Sequence, residues 1–270
     1  MEQRSELFGG RSSASLDDLS KLIVACRECP RLVAWREEVA TVKRAAYANE
    51  EYWGRPVPGF GDPDASIAVV GLAPAAHGAN RTGRMFTGDR SGDWLYRAMY
   101  RAGLASQPTS TSIDDGLELR GAWVTAPVRC APPQNKPNPD ESANCAPWLD
   151  AEMRLLSGVS VFVVLGQIGY HALWAHLGRT GEDLPRPRPK FGHGQRVSLG
   201  NRTILMSYHV SQQNTFTGRL TERMLDDVFA SAVQTARAAN EGAEERPREG
   251  GYGSRNLPDT GTGSLSRPPA

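Results

Sequence analysis

The chain has 270 residues, of which 39% are hydrophobic, and its formal net charge at pH 7 is +1. This composition is ordinary for a globular protein and allows one large domain or two small ones. The net charge does not indicate nucleic-acid binding, and it does not exclude a local basic patch. No apolar run is long enough to span a membrane, and the polar residues after Met1 exclude a typical export signal. We therefore expect a cytoplasmic protein without a membrane partner.

The first predicted elements are helical. Residues 1–15 are polar and contain Gly and Ser, so we expect a disordered N-terminal arm. Residues 16–26 predict a short helix, and residues 31–48 predict a second helix with one apolar face. That face is made of Leu32, Trp35, Val39 and Val42.

A cysteine pair lies between these two helices. Cys26 and Cys29 form a Cys-x-x-Cys pair, and the two other cysteines of the chain, Cys130 and Cys145, flank a polar loop far downstream. An iron–sulfur cluster or a soft metal ion needs four thiolates that converge on one point. Because no export signal precedes the pair, we favour such a site over two disulfides or four unrelated core thiols.

Strand and helix patterns alternate along the rest of the chain. Buried strands are predicted at residues 66–72, 121–129, 159–166 and 203–208. Helices are predicted at residues 91–103 with Ser91 as N-cap, at 140–156, after the third strand as far as 177, and at 221–240. The alternation predicts an α/β fold, a three-layer α/β/α sandwich with a central, mainly parallel four-stranded sheet. We expect one domain at residues 16–240 and a disordered tail at 241–270.

Ligands of such sheets bind at the carboxyl ends of the strands. Three unusual loops, at residues 73–89, 131–139 and 209–217, fall at that edge. Asp89 ends the first of these loops just before a predicted helix, so it is either the cap of that helix or a catalytic carboxylate. His209 directly follows the fourth strand, and its polar neighbours favour a functional role.

Two segments carry a family resemblance. Gly71-Leu-Ala-Pro-Ala-Ala-His-Gly78 with Met85-Phe-Thr-Gly-Asp89, and His209-x-Ser-Gln-Gln-Asn214 with Phe216-Thr-Gly-Arg-Leu220, resemble the two signature loops of the uracil-DNA glycosylase superfamily. The resemblance is to the family-5 (type b) branch, which carries a 4Fe–4S cluster. The spacing of the four cysteines is similar to that of the cluster ligands of this branch.

The resemblance implies an enzyme that flips a deaminated nucleotide out of DNA and hydrolyses its N-glycosidic bond, which starts base excision repair. His209 would hydrogen-bond the base carbonyl and stabilise the leaving anion. Asp89 would orient the water or shield the sugar cation. The cluster would be structural, the partner would be DNA that contains uracil or other deaminated bases, and we expect a monomer.

The resemblance also implies residues that contact the base and the DNA. Phe86 would stack on the flipped base, and a side chain of the second loop would enter the gap that the base leaves. The implied base pocket is formed by Gly71, Ala73, Ala75, Phe86, Ala126 and Asn214. The implied DNA contacts are Arg81, Arg84, Lys190, Gln213, Phe216 and Arg219.

The chain departs from the family pattern at two positions. Ala126 stands where related cluster-bearing glycosylases have an Asn that reads the edge of uracil. A site without that amide discriminates less sharply between bases, so we expect excision of hypoxanthine or other damaged bases as well. Val210 stands where many relatives have Pro, which could loosen the loop that holds His209.

Three other readings stay open at this point. The chain could be a non-enzymatic nucleic-acid-binding module around structural zinc, because four thiolates suit zinc as well as iron. It could be a relative that traps uracil covalently, although the basic insertion of that branch is not found between Phe191 and His209. It could also be an unrelated small-molecule α/β enzyme. Gly192-His-Gly194 is a fragment of a dinucleotide fingerprint, but it lacks the third glycine and precedes a strand.

Overall fold

A computed structural model describes residues 15–244 of the protein. Its strands form one six-stranded sheet in the order β1-β3-β2-β4-β6-β5. The four central strands are parallel, and the two edge strands are antiparallel to their neighbours. The strands are β1 (Phe60–Gly61), β2 (Ile67–Val70), β3 (Ala122–Thr125), β4 (Val161–Leu165), β5 (Arg196–Leu199) and β6 (Arg202–Ser207).

The four central strands are the ones that the sequence predicts. Every residue of β2, β3 and β4 is buried, which fits a parallel sheet whose two faces are both covered. The prediction of four strands is slightly short, because it lacks the two edges. β1 has two residues, and β5 alternates between exposed and buried side chains, so neither forms a continuous apolar run.

Eight α-helices are described. They are α1 (Leu16–Ala25), α2 (Pro30–Val42), α3 (Ala79–Thr82), α4 (Arg90–Arg101), α5 (Pro139–Leu155), α6 (Gln167–Arg179), α7 (Gln212–Phe216) and α8 (Glu222–Glu244). None of them is long and apolar enough to cross a membrane.

The three-layer arrangement is confirmed. On one face of the sheet, Leu95 of α4 and Phe229 of α8 join a buried cluster with Val69 and Val163 of the strands. On the other face, α5 and α6 cover the sheet through a second buried cluster, to which Leu173 of α6 belongs. The register places Val70 beside both Thr125 and Val164, so the central strands end at a common edge.

The boundaries of three predicted elements change. The strand predicted at residues 121–129 ends at Thr125. α2 ends at Val42 rather than near residue 48, and Val42 is 74% exposed instead of lying on the apolar face. At the other end, α8 continues to Glu244, beyond the predicted domain boundary at residue 240. The arm and the tail lie outside the described residues except for residue 15 and residues 241–244, so their disorder stays a prediction.

A buried ion pair joins the segment after β3 to α5. The Nη2 atom of Arg129 lies 2.7 Å from Oε2 of Glu152, and both side chains are at most 2% exposed. The hydroxyl of Thr125, at the end of β3, donates to the same oxygen at 2.5 Å. A paired and hydrogen-bonded charge is tolerated in a protein interior, whereas an unpaired one is strongly destabilising.

We therefore expect Glu152→Gln to lower the free energy of unfolding by about 3–5 kcal/mol, because it leaves the Arg129 guanidinium buried without its counter-charge. The control is Glu182→Gln, which removes a partly exposed pair with Arg202. That change should cost at most about 1 kcal/mol. Urea unfolding measures both, and equal costs would contradict the assigned role of the buried pair.

Candidate active site at the carboxyl edge of the sheet

The loop after β2 holds an aromatic ring against the backbone. A Cβ atom placed on Gly71 would lie 2.6 Å from Cζ of Phe86, so the ring can occupy this position only because residue 71 is glycine. Phe86 itself has a φ of 53°, in the left-handed region that non-glycine residues rarely adopt. Such backbone strain is often found at functional sites. The ring centroids of Phe86 and His209 are 6.3 Å apart, so this ring bridges the two signature loops.

Asp89 is the N-cap of α4. Its Oδ1 atom accepts a hydrogen bond of 3.0 Å from the backbone N–H of Gly92. The other oxygen, Oδ2, faces the first loop so closely that a Cβ on Gly78 would collide with it. The structure therefore assigns the cap to Asp89, not to the predicted Ser91, and leaves one carboxylate oxygen turned towards the loop.

The surroundings of Asp89 have opposing effects on the pKa of its carboxyl group. Burial raises the pKa of its carboxyl group above the ordinary value, while backbone hydrogen bonds from Gly92 and Ser91 act in the opposite direction. Asp93 also raises the pKa and Arg81 lowers it. The arrangement is a partly desolvated carboxylate at a helix N-terminus, where negative charge is favoured.

His209 follows β6 at the same edge of the sheet. The side-chain Nδ2 atom of Asn214 donates to the backbone oxygen of His209 at 2.8 Å and so fixes the main chain of the loop. Burial lowers the pKa of the imidazole to about 4, so the ring is neutral at pH 7. Within residues 15–244 the ring has no hydrogen-bond partner, which leaves its N–H available to a ligand.

The structure brings most of the predicted base-pocket residues together. Gly71 contacts Phe86, and its backbone N–H donates to the oxygen of Thr125, directly before Ala126. Ala75 lies beside Gly78 and therefore near the carboxylate of Asp89. Ala73 instead packs against the buried cluster that contains Cys130. The side-chain amide of Asn214 donates to the backbone oxygen of His209.

Two predicted DNA contacts are corrected by the structure. Arg81 is 8% exposed and forms an ion pair with Glu50, and it also donates to the backbone oxygen of Gly88 at 2.7 Å. Arg84 is 5% exposed and donates to both carboxylate oxygens of Asp115 at 2.7 Å. Both guanidinium groups hold the first loop from inside, so neither faces a DNA backbone.

The other four predicted DNA contacts lie at the surface. Lys190, Gln213, Phe216 and Arg219 are all exposed. Two of them interact with residues that the sequence analysis missed. Arg90, next to Asp89, lies 4.6 Å above the ring of Phe216, and Arg219 lies 4.5 Å from the ring of Tyr208. These cation–π pairs give the exposed aromatic ring and the basic side chains defined positions.

The four cysteines are free thiols that line one pocket between α2, the segment after β3 and α5. Three of the sulfur atoms receive N–H groups, at 2.9 Å from Nη1 of Arg36, at 3.3 Å from the backbone of Arg129 and at 3.8 Å from Nδ2 of Asn144. The acceptors are Cys130, Cys145 and Cys29, respectively. Burial raises the pKa of Cys130 to about 11 and that of Cys145 to about 12.

Arg36 is the residue of this pocket that the sequence analysis missed. It is 2% exposed, and its Nε atom has no hydrogen-bond partner among the described residues. The carboxylate of Glu37 lies 3.9 Å away and is also paired with Arg27. A buried cation needs negative charge beside it, and thiolate ligands of a metal group would supply that charge.

The donor set therefore fits a thiolate-bound group. N–H donors to cysteine sulfur are typical of iron–sulfur sites, and a metal group would supply the positive charge that these buried thiols need to ionise. No three side chains of His, Cys, Asp or Glu in the described part of the chain are already arranged to hold a metal ion. The shared pocket, the N–H donors and the buried Arg36 are the features that favour such a group.

The comparisons with known proteins agree on one family. The family model described as "Uracil DNA glycosylase superfamily" matches residues 58–233. A type-5 uracil-DNA glycosylase of Mycobacterium tuberculosis is 53% identical over 232 residues, which cover 85% of this chain and 84% of that protein. Type-5 enzymes of Thermus thermophilus and Pyrobaculum aerophilum are 54% and 44% identical over 79% and 82% of this chain. Those matches cover 95% and 93% of the two relatives.

The low pKa of His209 predicts a specific effect of pH on stability. Between pH 6.5 and about 4 the unfolded chain binds a proton at this imidazole that the folded protein does not bind. The free energy of unfolding should therefore fall as the pH drops through this range, and His209→Gln should remove that part of the fall. Urea unfolding at pH 4.5 and 7.5 measures it. A difference between parent and variant that does not change with pH would contradict a buried neutral ring.

Proposed function

This chain belongs to the uracil-DNA glycosylase superfamily, and from that premise we propose that it excises uracil from DNA by hydrolysing the N-glycosidic bond. Its type-5 relatives carry this activity in their names. The single observation that carries the proposal is the meeting of the two signature loops. Asp89, Phe86 and the neutral ring of His209 lie at one edge of the sheet, where α/β folds bind their ligands.

The base leaves the sugar as an anion, so the site has to stabilise negative charge on the base. The N–H of the neutral His209 ring donates to a base carbonyl and strengthens that hydrogen bond as the charge develops. Asn214 holds the backbone of His209, so the donor is preorganised. The flipped base stacks on Phe86 and lies against Gly71, where a larger side chain would displace the ring.

The sugar develops positive charge in the same step. The Oδ2 oxygen of Asp89 faces the loop of Ala75 and Gly78, while Oδ1 remains bound to the helix N-terminus. A carboxylate in this position shields the sugar cation or orients the attacking water. The cap fixes the carboxylate before the substrate arrives, so little reorganisation is needed during the reaction.

The exposed residues beside the site form the DNA-binding surface in this proposal. A duplex hides the bond that is cleaved, so the nucleotide has to be flipped out. Phe216 is 63% exposed and enters the gap in the base stack, with Gln213 beside it. Lys190, Arg219 and Arg90 contact phosphates, which makes the affinity sensitive to salt.

We further propose that Cys26, Cys29, Cys130 and Cys145 hold a 4Fe–4S cluster. When bound, the group would crosslink the turn before α2 to the segment after β3, through Cys130, and to α5, through Cys145; the hydrolysis itself needs no electron. The N–H groups of Arg36 and Arg129 stabilise the thiolates. The ligands thus fasten the N-terminal helices to the end of the strand that leads to Ala126.

The proposal includes hypoxanthine among the bases that are excised. Ala126 is 1% exposed at the end of β3 and offers no side-chain hydrogen bond to a base edge. Base discrimination then rests on the backbone, on stacking and on His209, which distinguish bases less sharply than a dedicated amide.

Substitutions at Asp89 separate the cap from the chemistry. Asn caps a helix as well as Asp does, so Asp89→Asn should keep the free energy of unfolding within about 0.5 kcal/mol of the parent, while Asp89→Ala should lose about 1 kcal/mol. Both variants should slow excision of uracil at least about 100-fold in single-turnover assays, because neither supplies a carboxylate. His209→Gln should lose a similar factor.

The control is Asp93→Asn, which changes a carboxylate to an amide in the same first turn of α4. It should leave the rate of excision within about two-fold of the parent, because Asp93 is exposed and its charge affects Asp89 less than burial and the backbone hydrogen bonds do. A parental rate in Asp89→Asn would refute the assigned role. A folded parent that binds DNA without cleavage would favour a non-enzymatic binding module.

The cluster proposal predicts the metal content of the purified protein. Anaerobically prepared protein should be brown and contain iron and acid-labile sulfide in equal amounts, about four of each per chain. Cys145→Ala should lose most of the iron and lower the melting temperature, whereas Arg27→Gln, which changes an exposed side chain between Cys26 and Cys29, should retain the iron. Stoichiometric zinc in place of iron would contradict the proposal.

The specificity proposal predicts cleavage of two duplexes by the same protein. A duplex with one inosine should be cleaved after alkali treatment, more slowly than one with uracil opposite guanine. Loss of both cleavages in Asp89→Asn would assign them to one site. Cleavage of the uracil duplex alone would refute the broader specificity.

A further inference from the structure

His193 lies behind the second signature loop and contacts its backbone. It belongs to the turn before β5 and lines a cavity of about 360 Å³ between β6 and α8. Its Nδ1 atom lies 3.2 Å from the backbone N of Tyr208 and 3.5 Å from Oγ of Ser207. The next residue after Tyr208 is His209, so this contact is one peptide away from the proposed donor to the base.

The partner of Nδ1 determines the state of the ring. A backbone N–H can only donate, so the hydrogen bond from Tyr208 requires Nδ1 to be unprotonated. A neutral His193 that carries its proton on Nε2 satisfies this condition. A doubly protonated ring does not, because both ring nitrogens would then be donors.

The contact matters because Tyr208 lies just beyond the last residue of β6. Its N–H is past the end of the ladder and needs another acceptor if it is to stay satisfied. The neighbouring peptide groups are also held by side chains. Ser207 donates through Oγ to the oxygen of Tyr208 at 2.9 Å, and Asn214 donates to the oxygen of His209 at 2.8 Å. The position of His209 thus depends on a short series of side-chain anchors, of which His193 is the one that titrates.

We propose that His193 is a positioning residue for His209, and that protonation of His193 loosens the second loop. This inference rests on the proposed function, in which His209 donates to the leaving base. When Nδ1 gains a proton, two donors face each other, the N–H of Tyr208 loses its acceptor, and the peptide before His209 is free to turn. A small displacement of a catalytic group is enough to slow the reaction substantially.

The charged and titratable groups around His193 come from two elements. From α8, Asp227 and the backbone of Met224 favour a proton on the ring. From the loop after β6, Tyr208 stacks on it with ring centroids 5.1 Å apart, and Arg219 lies over that tyrosine. Burial is the larger effect and holds the pKa of His193 below its ordinary value, so the ring is neutral at pH 7.

Two substitutions separate the acceptor from the bulk of the ring. Asn can place its Oδ1 oxygen near the position of Nδ1, and it accepts without titrating between pH 5 and 8. Phe keeps a planar ring of similar size and cannot accept. We expect His193→Phe to slow single-turnover excision at least about ten-fold at pH 7.5, with His193→Asn within about three-fold of the parent. Below pH 6.5 the rate of the parent should fall more steeply than that of His193→Asn.

The matched control is His171→Asn. His171 is another half-buried histidine whose pKa burial lowers, but it lies on α6. This change should leave the rate and its pH profile as in the parent. Equal rates in His193→Phe and the parent, or no rescue in His193→Asn at an unchanged melting temperature, would overturn the proposal.

A second measurement does not depend on turnover. In ¹⁵N-labelled protein, the imidazole of His193 should show an unprotonated Nδ1 at pH 7.5, and the amide signal of Tyr208 should shift with the titration of that ring. A proton on Nδ1 at pH 7.5 would overturn the proposal. An amide signal of Tyr208 that does not shift as the ring of His193 titrates would also overturn it. Both results hold even if His193→Phe fails to fold. If the parent excises nothing, the proposed function fails, and these spectra still decide whether His193 positions the loop.

Discussion

The close packing of Phe86 on the backbone of Gly71 is the constraint on which the site depends. The central strands end at a common edge, so the loops that follow them share a small space. The ring fits there because residue 71 has no side chain, and Phe86 adopts a left-handed backbone conformation to reach it. The chain then enters α4 through Asp89, which serves as cap and faces the site at the same time.

Buried charge connects this edge to the cysteine pocket. Glu152 accepts from Thr125 and pairs with Arg129, and the backbone of Arg129 donates to Cys145. A few residues after β3 therefore link the end of the base pocket to the proposed cluster ligands. Arg36 is a second buried charge of this kind. Its guanidinium lies beside Cys130 and is stable only with negative charge around it. The proposed cluster ligands and the candidate site thus share the segment after β3 as a common support.

Several features could be predicted from the sequence because they rest on short-range signals. Three of the four central strands, β2, β3 and β4, are buried along their whole length because both faces of the sheet are covered, and the sequence predicts all four central strands. The edge strands β1 and β5 were missed because one has two residues and the other buries only alternate side chains. The loop motifs and the Cys-x-x-Cys pair indicated the family directly, because their residue types and spacing are themselves the signal.

The sequence by itself therefore determined the α/β class, the order of the central elements, the family and the main candidates, Asp89 and His209. Only the tertiary structure decided which polar groups face inward. Arg81 and Arg84 look like DNA contacts in the sequence, yet their partners Glu50 and Asp115 bury them. In the sequence, His193 lies in a Gly-His-Gly segment that indicates no role. In the structure, its Nδ1 atom accepts a hydrogen bond from the backbone N–H of Tyr208, just after β6. The physical reason is that the role of a charged or titratable side chain depends on partners distant in the chain, which no local pattern records.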